Sequence, residues 1–372
     1  MRTMNEVYDC SCRLVKRLQH AQERDMTEES SPNSPPSDVT TGENPIIGTG
    51  VTPSSVEFYT RCAVVVMGVI GTAANALILY ALVASKQHKK HVLIFNQNAL
   101  DLFSSLFLII TYAIMLYDFD LTKWYGPWLC KAVLSENFVW WGTNGSIINL
   151  GIITVERYLK VVHNIWSKKN LRRWMIYLAM AFAWISSIVS NTILAFETSD
   201  VTDGQCYPIA QWKSEVARMV FGIWYFLSYY VIILILFIFC YGRILVAVRR
   251  QAKVMEGYSA AGSSTAQART KQFKTNVIKT MIMVSSYYAI AWLPNNIYFL
   301  LRNVGVPLAY SGGCSATMCV AFFYTCTNPF IYAVKFNPVK KVLIRLIPCK
   351  EPAEGAASTG THSKSRNVPE NH

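Results

Sequence analysis

Seven apolar segments constrain this chain more than any other feature of its sequence. Each is close to the roughly 20 residues that a helix rising about 1.5 Å per residue needs to cross about 30 Å of hydrocarbon. Only helices suit such segments, because an open sheet edge in lipid leaves backbone groups unpaired. The sequence therefore predicts an all-α membrane protein, a seven-transmembrane helix bundle, with helices near residues 58–84, 92–117, 129–161, 174–196, 219–248, 277–301 and 313–334.

Composition separates a membrane protein from a nucleic-acid-binding one. The 372 residues are 52% hydrophobic and 15% charged, against roughly 25% charged in soluble domains. The net charge of +13 comes from short basic blocks between the apolar segments, which excludes nucleic acid as a partner. The ten cysteines form no paired CxxC units and no Cys/His cluster, so we expect no metal site. Without a His-rich metal set or a nucleophile elbow, we do not expect an enzyme.

The segments on either side of the bundle, 58–335, differ from it in composition. Residues 1–57 are polar and rich in Ser, Pro, Thr and Glu, which predicts a disordered extracellular tail. Residues 336–349 predict an amphipathic juxtamembrane helix on the inner leaflet, followed by the palmitoylation candidate Cys349 and a disordered cytoplasmic tail, 350–372. The apolar face of this helix contains Val339, Val342, Leu343, Leu346 and Ile347, and its basic face contains Lys340, Lys341 and Arg345.

The loops between the segments predict the orientation of the chain. The first, third and fifth loops contain fifteen lysines and arginines, whereas the second, fourth and sixth contain four. Because basic loops stay on the cytoplasmic side, we expect a multi-pass plasma-membrane protein with an extracellular N-terminus. Cys130 and Cys206 then both flank apolar segments on the outer, oxidising side, and we expect a disulfide between them.

Residues and short motifs in each of the seven segments carry a family resemblance. Asn75 lies in GTAANALIL, Asp101 in NALDLF, and residues 156–158 are ERY; Trp184, Tyr241, WLP at 292–294 and NPFIY at 328–332 follow in order. With seven segments, this set resembles the rhodopsin-like (class A) G-protein-coupled receptors over residues 58–350. The resemblance implies an extracellular ligand, a heterotrimeric G protein, arrestin and receptor kinases as partners. The basic inner loops suit an acidic protein surface and anionic membrane lipids.

The resemblance also implies roles for residues inside the bundle. A carboxylate at mid-membrane is costly, so Asp101 must face a polar interior. There the family has a water and sodium pocket, for which this chain offers Asn75, Asp101, Ser146, Thr325 and Asn328. No cofactor is required; the sodium ion would be allosteric. Pro294 should kink the sixth helix and place Trp292, its partner in the activation switch, at the pocket floor.

The inner ends of the segments carry the predicted G-protein switch. Arg157 beside Glu156 can pair locally in one state and release in another. Many relatives brace this arginine with an acid on the sixth helix, where this chain offers Lys274 and Lys279. We therefore expect a weak lock and basal signalling. The switch residues are Glu156, Arg157, Tyr158, Tyr241, Asn328, Pro329 and Tyr332.

Two features depart from the family pattern. No proline lies between residues 216 and 248 of the fifth segment, so we expect no helix bulge there. Cys130 and Arg157 are 27 residues apart, two more than in relatives. The outer third helix is therefore either shifted or bulged, and positions counted from its two ends disagree.

The sequence limits the class of ligand mainly by excluding candidates. In relatives that bind amines, an aspartate pairs with the ligand; the matching position in this chain is Asn137 or Val139, and neither is acidic. Residues 313–329 contain no lysine that could bind retinal. Aromatic and amide walls favour a peptide or a polar small molecule. The alternative ligand is an amine-like cation bound by Glu136. The rival class of protein is a transporter or channel, against which the absence of an internal sequence repeat argues. The pocket candidates are Glu136, Asn137, Val139, Trp140, Thr143, Asn144, Trp224, Ser228, Asn295, Asn296, Phe299 and Met318.

Overall fold

The computed structural model describes residues 47–48, 55–117, 119–209, 211–258, 265–306, 312–335 and 337–346. The predicted disordered tails, apart from residues 47–48 and 55–57, and Cys349 lie outside these ranges, as do the side chains of Tyr332, Lys274 and Lys279. The long helices are called first to seventh below. The first four are Ser55–Ala84, Val92–Ile114, Asn137–Val162 and Arg173–Thr198. The fifth consists of three consecutive pieces, Glu215–Phe226, Leu227–Val231 and Ile232–Tyr258; the sixth is Thr265–Asn303 and the seventh is Gly312–Lys335.

The helices pack as a closed bundle. The first helix contacts the second and the seventh, the sixth contacts the outer part of the fifth and the seventh, and the third touches the second, fourth and fifth. In the described part of the chain, four helical stretches are long and apolar enough to cross a membrane, namely Glu57–Ala84, Val92–Ile114, Arg173–Thr198 and Glu215–Arg250. Because the third helix touches three other helices, it lies at the centre of the bundle, and its polar residues face those helices.

The outer part of the predicted third helix is broken. Gly126–Leu129 forms one short helix, Cys130–Leu134 is a π-helical turn, and Glu136 adopts a left-handed conformation with φ 58° and ψ 21°. The long helix begins only at Asn137. A single helix from residue 129 was thus the wrong prediction. The π-helical turn and the left-handed residue Glu136 accommodate the two extra residues, and the inner half of the segment remains a regular helix.

The fifth helix contains a bulge although it lacks a proline. Leu227–Val231 forms a π-helical turn between two α-helical pieces, and the amide of Ile232 donates to the carbonyl of Leu227, five residues earlier. The expectation that this bulge is absent was therefore wrong. Such turns concentrate at functional sites in proteins.

A small antiparallel sheet covers part of the outer side. Strands Asp200–Thr202 and Gln205–Tyr207 form a hairpin whose two turn residues, Asp203 and Gly204, have φ of 51° and 73°, as a type I′ turn requires. Ile47–Gly48 adds a third strand along Gln205–Cys206. These two residues lie inside the predicted N-terminal tail, which therefore contributes a strand here.

A short helix, Asn337–Leu346, follows the seventh and packs against it and the first. Val339 is fully buried, and Val342 and Leu343 pack against the main core cluster. Lys340 and Ile344 are exposed. The helix falls within residues 336–349, and its position on the inner leaflet stays a prediction.

Candidate functional site

A disulfide links the π-helical turn that precedes the third helix to the outer sheet. Cys130, in the π-helical turn, and Cys206, in the middle strand, are bonded with their Cα atoms 5.5 Å apart, and both are fully buried. The predicted Cys130–Cys206 disulfide is confirmed. Because Cys206 pairs with both outer strands, the bond fixes the whole sheet beside the helix break.

Glu136, at this break, is a buried carboxylate with two neutral donors. The Tyr112 hydroxyl donates to Oε1 at 2.6 Å, and the indole of Trp140 donates to Oε2 at 3.0 Å. In the part of the chain described, Glu136 takes part in no ion pair. The neighbouring Asn137 is 2% exposed, and its Oδ1 has no hydrogen-bond partner there. The break thus holds several buried oxygen acceptors close together in sequence.

The third helix supplies one wall of the pocket through alternate turns. The ring of Trp140 lies 6.2 Å from Trp292 and 5.9 Å from Phe322, centroid to centroid. Asn144 accepts from the Tyr225 hydroxyl at 2.9 Å and donates to Asn191 at 3.2 Å. These contacts join Trp140 to the sixth and seventh helices and Asn144 to the fourth and fifth.

Thr143 and Val139 face a different neighbour, the second helix. The Ser104 hydroxyl lies 2.8 Å from the Thr143 hydroxyl and donates to the carbonyl of Val139 at 3.1 Å. Val139 is fully buried in the outer core cluster, and Met318, half-buried on the seventh helix, packs against that cluster. In this arrangement these side chains pack helices together.

The fifth and sixth helices form the opposite wall. The ring centroid of Phe299 lies 4.9 Å from that of Tyr225. The Asn296 amide donates to the carbonyl of Trp292 at 2.9 Å, within the continuous helix that contains Pro294. Trp224 is 44% exposed and meets Tyr229 edge-on. Ser228 and Asn295 are half-buried. Phe299 therefore packs on the same tyrosine that donates to Asn144, whereas the ring contacts described for Trp224 are to Phe221 and Tyr229.

Three contact residues of this pocket were missed by the sequence reasoning. Tyr112, Asn191 and Phe322 make direct contacts to Glu136, Asn144 and Trp140 respectively. A tyrosine and an asparagine inside otherwise apolar segments are a usable signal, since buried polar groups need partners. Phe322 lies in an apolar stretch with another phenylalanine beside it, and no spacing distinguishes it.

At mid-membrane, Asp101 is the centre of a buried polar cluster. The Ser146 hydroxyl donates to Oδ1 at 2.6 Å, and the Asn328 amide donates to Oδ2 at 3.2 Å. Gln97, which the sequence reasoning did not include, donates to the Ser146 hydroxyl. Thr325 is buried. The Asn75 amide donates to the Gly71 carbonyl at 2.9 Å. The amide oxygens of Asn75 and Asn328 are buried and have no hydrogen-bond partner in the described structure.

At the inner end, Arg157 is paired locally. Its Nε lies 3.5 Å from Oε2 of Glu156, whose other oxygen accepts from Lys160 at 2.5 Å. The Tyr158 hydroxyl lies 3.1 Å from the His163 ring nitrogen. Nearby, burial and the charge of Arg157 lower the pKa of His91 to about 4, so His91 is neutral at physiological pH.

Tyr241, the predicted alternative partner of Arg157, is engaged elsewhere. Its hydroxyl lies 3.0 Å from the Thr154 hydroxyl and 2.9 Å from that of Ser285. Pro329 lies inside the seventh helix. Of the two arrangements proposed for the switch, the structure therefore holds the local Glu156–Arg157 pair.

Comparison with known proteins gives the class to which this architecture belongs. Residues 74–332 match the family described as 7 transmembrane receptor (rhodopsin family), so the chain belongs to the rhodopsin-like G-protein-coupled receptors. Such proteins are multi-pass plasma-membrane receptors that bind an extracellular ligand and activate heterotrimeric G proteins. They are signalling receptors and not enzymes, as predicted, which also decides against a transporter or channel.

Several receptors are similar to this chain along most of their length. Galanin receptor type 1 of Mus musculus is 25% identical over 87% of this chain and 90% of its own. Allatostatin-A receptor of Bombyx mori is 22% identical over 77% of this chain and 78% of its own. Neuropeptide Y receptor type 4 of Rattus norvegicus is 23% identical, with coverages of 76% and 78%.

Proposed function

We propose that the extracellular ligand of this receptor is a peptide. The observation that carries the proposal is a set of aromatic and amide side chains: the Tyr225 hydroxyl donates to Asn144 at 2.9 Å, the Phe299 ring lies 4.9 Å from that of Tyr225, and Trp140 precedes Asn144 by one turn on the third helix. Amides pair with the donors and acceptors of a peptide backbone, and aromatic walls bury apolar side chains. Similar receptors named for galanin, allatostatin-A and neuropeptide Y support the proposal.

A ligand with a cationic group is the second candidate, and Glu136 is the observation that favours it. Its carboxylate is buried, accepts from two neutral donors and has no ion pair among the described residues. A carboxylate offers about four acceptor sites, so two remain for an ammonium or guanidinium. A buried charge without a counter-ion is costly, and a ligand cation would supply one.

A ligand panel separates the two candidates. Cells expressing the receptor are exposed to peptides, including galanin, allatostatin-A and neuropeptide Y, and to amines and lipids, with calcium and cyclic-nucleotide readouts. We expect a peptide to activate. If the active ligand carries a cation at Glu136, Glu136→Gln raises the half-maximal concentration of that ligand about tenfold or more. Glu197→Gln, at an exposed carboxylate in the last turn of the fourth helix, leaves it unchanged. Activation by amines alone, abolished in Glu136→Gln, would overturn the peptide proposal.

We also propose that the cluster around Asp101 binds an allosteric sodium ion. The carboxylate is bonded to the Ser146 hydroxyl and the Asn328 amide, and the buried amide oxygens of Asn75 and Asn328 are unpartnered in the described structure. Hard cations prefer oxygen donors of these kinds. A bound ion would neutralise a carboxylate that otherwise lies charged in a buried site.

Sodium binding predicts a thermal shift that needs no ligand. A bound ion stabilises the folded receptor by mass action, so the purified protein should melt several degrees higher in sodium chloride than in choline chloride of equal concentration. Asp101→Asn should abolish that difference and keep the shape of the side chain. Equal melting temperatures of the wild type in both salts would contradict sodium binding.

The inner surface supports further proposals about partners. We infer an extracellular N-terminus from the fifteen-to-four distribution of basic residues in the loops. The same basic inner loops suit arrestin, receptor kinases and anionic lipids, and Cys349 suits palmitoylation. Basal signalling is expected because Lys274 and Lys279 replace the acid that would brace Arg157.

A further inference from the structure

Two tyrosine hydroxyls join the fifth and sixth helices in opposite directions. The Tyr288 hydroxyl, on the sixth helix, donates to the carbonyl of Tyr229 on the fifth. The Tyr230 hydroxyl, on the fifth helix, donates to the carbonyl of Ala289 on the sixth at 2.8 Å. Tyr288 is fully buried and Tyr230 is 4% exposed. We call these two reciprocal bonds the tyrosine clasp.

The clasp lies where both helices depart from regular geometry. Tyr229 and Tyr230 belong to the π-helical turn Leu227–Val231, which forms without a proline. On the sixth helix, Tyr288 lies one turn before Trp292, and their ring centroids are 6.2 Å apart. Pro294 follows in the next half-turn. The clasp therefore connects the bulge of one helix to the segment just before the proline of the other.

Hydroxyl-to-backbone bonds resist relative motion of the helices more than side-chain packing does. An apolar contact can slide to a neighbouring position, but a hydroxyl that leaves a buried carbonyl remains unpaired in a low-dielectric interior, which is costly. Because both bonds join neighbouring residues of the same two helices, a displacement of the sixth helix away from the fifth lengthens both.

The clasp accompanies the locally paired arrangement of the inner end. In the same structure, Tyr241 is bonded to Thr154 and Ser285, and Arg157 is paired with Glu156. Tyr241 and Ser285 form a third hydroxyl contact between the fifth and sixth helices, about one turn closer to the inner side on the sixth helix and about three turns closer on the fifth. The Tyr241 hydroxyl must leave Thr154 and Ser285, and Arg157 must leave Glu156, if Tyr241 is to reach Arg157.

We propose that Tyr288 and Tyr230 are positioning residues that hold the sixth helix against the fifth and so limit nucleotide exchange in the absence of ligand. The clasp takes the place of a proline in defining the bulge of the fifth helix. The inference concerns signalling by the receptor alone and is independent of whether the ligand is a peptide.

Removal of the hydroxyls with the rings retained tests the clasp. Tyr288→Phe, Tyr230→Phe and the double variant are purified as full chains, and guanine-nucleotide exchange is measured without ligand on a panel of G-protein subtypes, per folded receptor. We expect about a fivefold rise in exchange for each hydroxyl removed and a larger rise in the double variant. Tyr80→Phe, at an exposed position of the first helix, should match the wild type.

The melting temperature separates positioning from a merely structural role. If the hydroxyls are merely structural, their removal lowers the melting temperature and the yield and leaves nucleotide exchange per folded receptor unchanged. If they position the sixth helix, their removal raises exchange per folded receptor. Unchanged or reduced exchange in either well-folded variant overturns the proposal. Failure of both single variants to fold also overturns it, because the hydroxyls would then be needed for folding alone.

Discussion

The double variant Cys130→Ser/Cys206→Ser should lose about 4 kcal/mol of stability. The bond closes a loop with a sequence separation of 76 residues, and opening it restores that chain entropy to the unfolded state. In the folded state the sheet around Cys206 loses its only covalent link to the helix break within the described structure. We expect the melting temperature to fall by roughly 10 °C and surface expression to fall with it.

A free cysteine and a reductant provide matched controls. Cys62→Ala, at a half-buried thiol without a disulfide, should change the melting temperature by only a few degrees. Dithiothreitol should lower the melting temperature of the wild type to that of the double variant and leave the double variant unchanged. A double variant that melts with the wild type would show that the bond contributes little beyond the packing of the sheet.

The positions of the long helices followed from the sequence because membrane burial dictates them. Segments of about 20 apolar residues can satisfy their backbone only as helices, whatever their neighbours. The disulfide followed as well, because Cys130 and Cys206 flank apolar segments on the same predicted side. The cluster at Asp101 was predicted from the family resemblance. Gln97 was missed, because the sequence does not show which helix a glutamine in an apolar segment will face.

The departures from the predicted fold arise from contacts that no local pattern encodes. The reversal at Glu136 uses a left-handed conformation that glycine or asparagine usually marks, and its side chain is held by Tyr112, a residue of another helix. The bulge of the fifth helix forms without proline beside Tyr288 of the sixth. Strands of two or three residues, such as Ile47–Gly48, are too short to show an alternating pattern.

At the inner end, Arg157→Ala and Glu156→Gln should have opposite effects on signalling. The Glu156–Arg157 pair is only 11% and 17% exposed, so solvent screens it less than an ordinary surface pair. Glu156→Gln removes the charge that holds Arg157 and keeps the shape of the side chain. We expect basal nucleotide exchange to rise about fivefold, as for a pair contributing about 1 kcal/mol. Arg157→Ala removes the group that must rearrange, and we expect exchange to fall at least about tenfold.

Lys160 gives a control on the same carboxylate. It holds the second oxygen of Glu156 at 2.5 Å and competes with Arg157 for that charge. Lys160→Gln should therefore strengthen the Glu156–Arg157 pair and lower basal exchange below that of the wild type, although it also removes one basic residue. Exchange is measured per receptor at matched surface levels, without ligand. If Glu156→Gln and Lys160→Gln change basal exchange in the same direction, the pair does not control the resting state, and the inhibition must come from the contacts between the fifth and sixth helices.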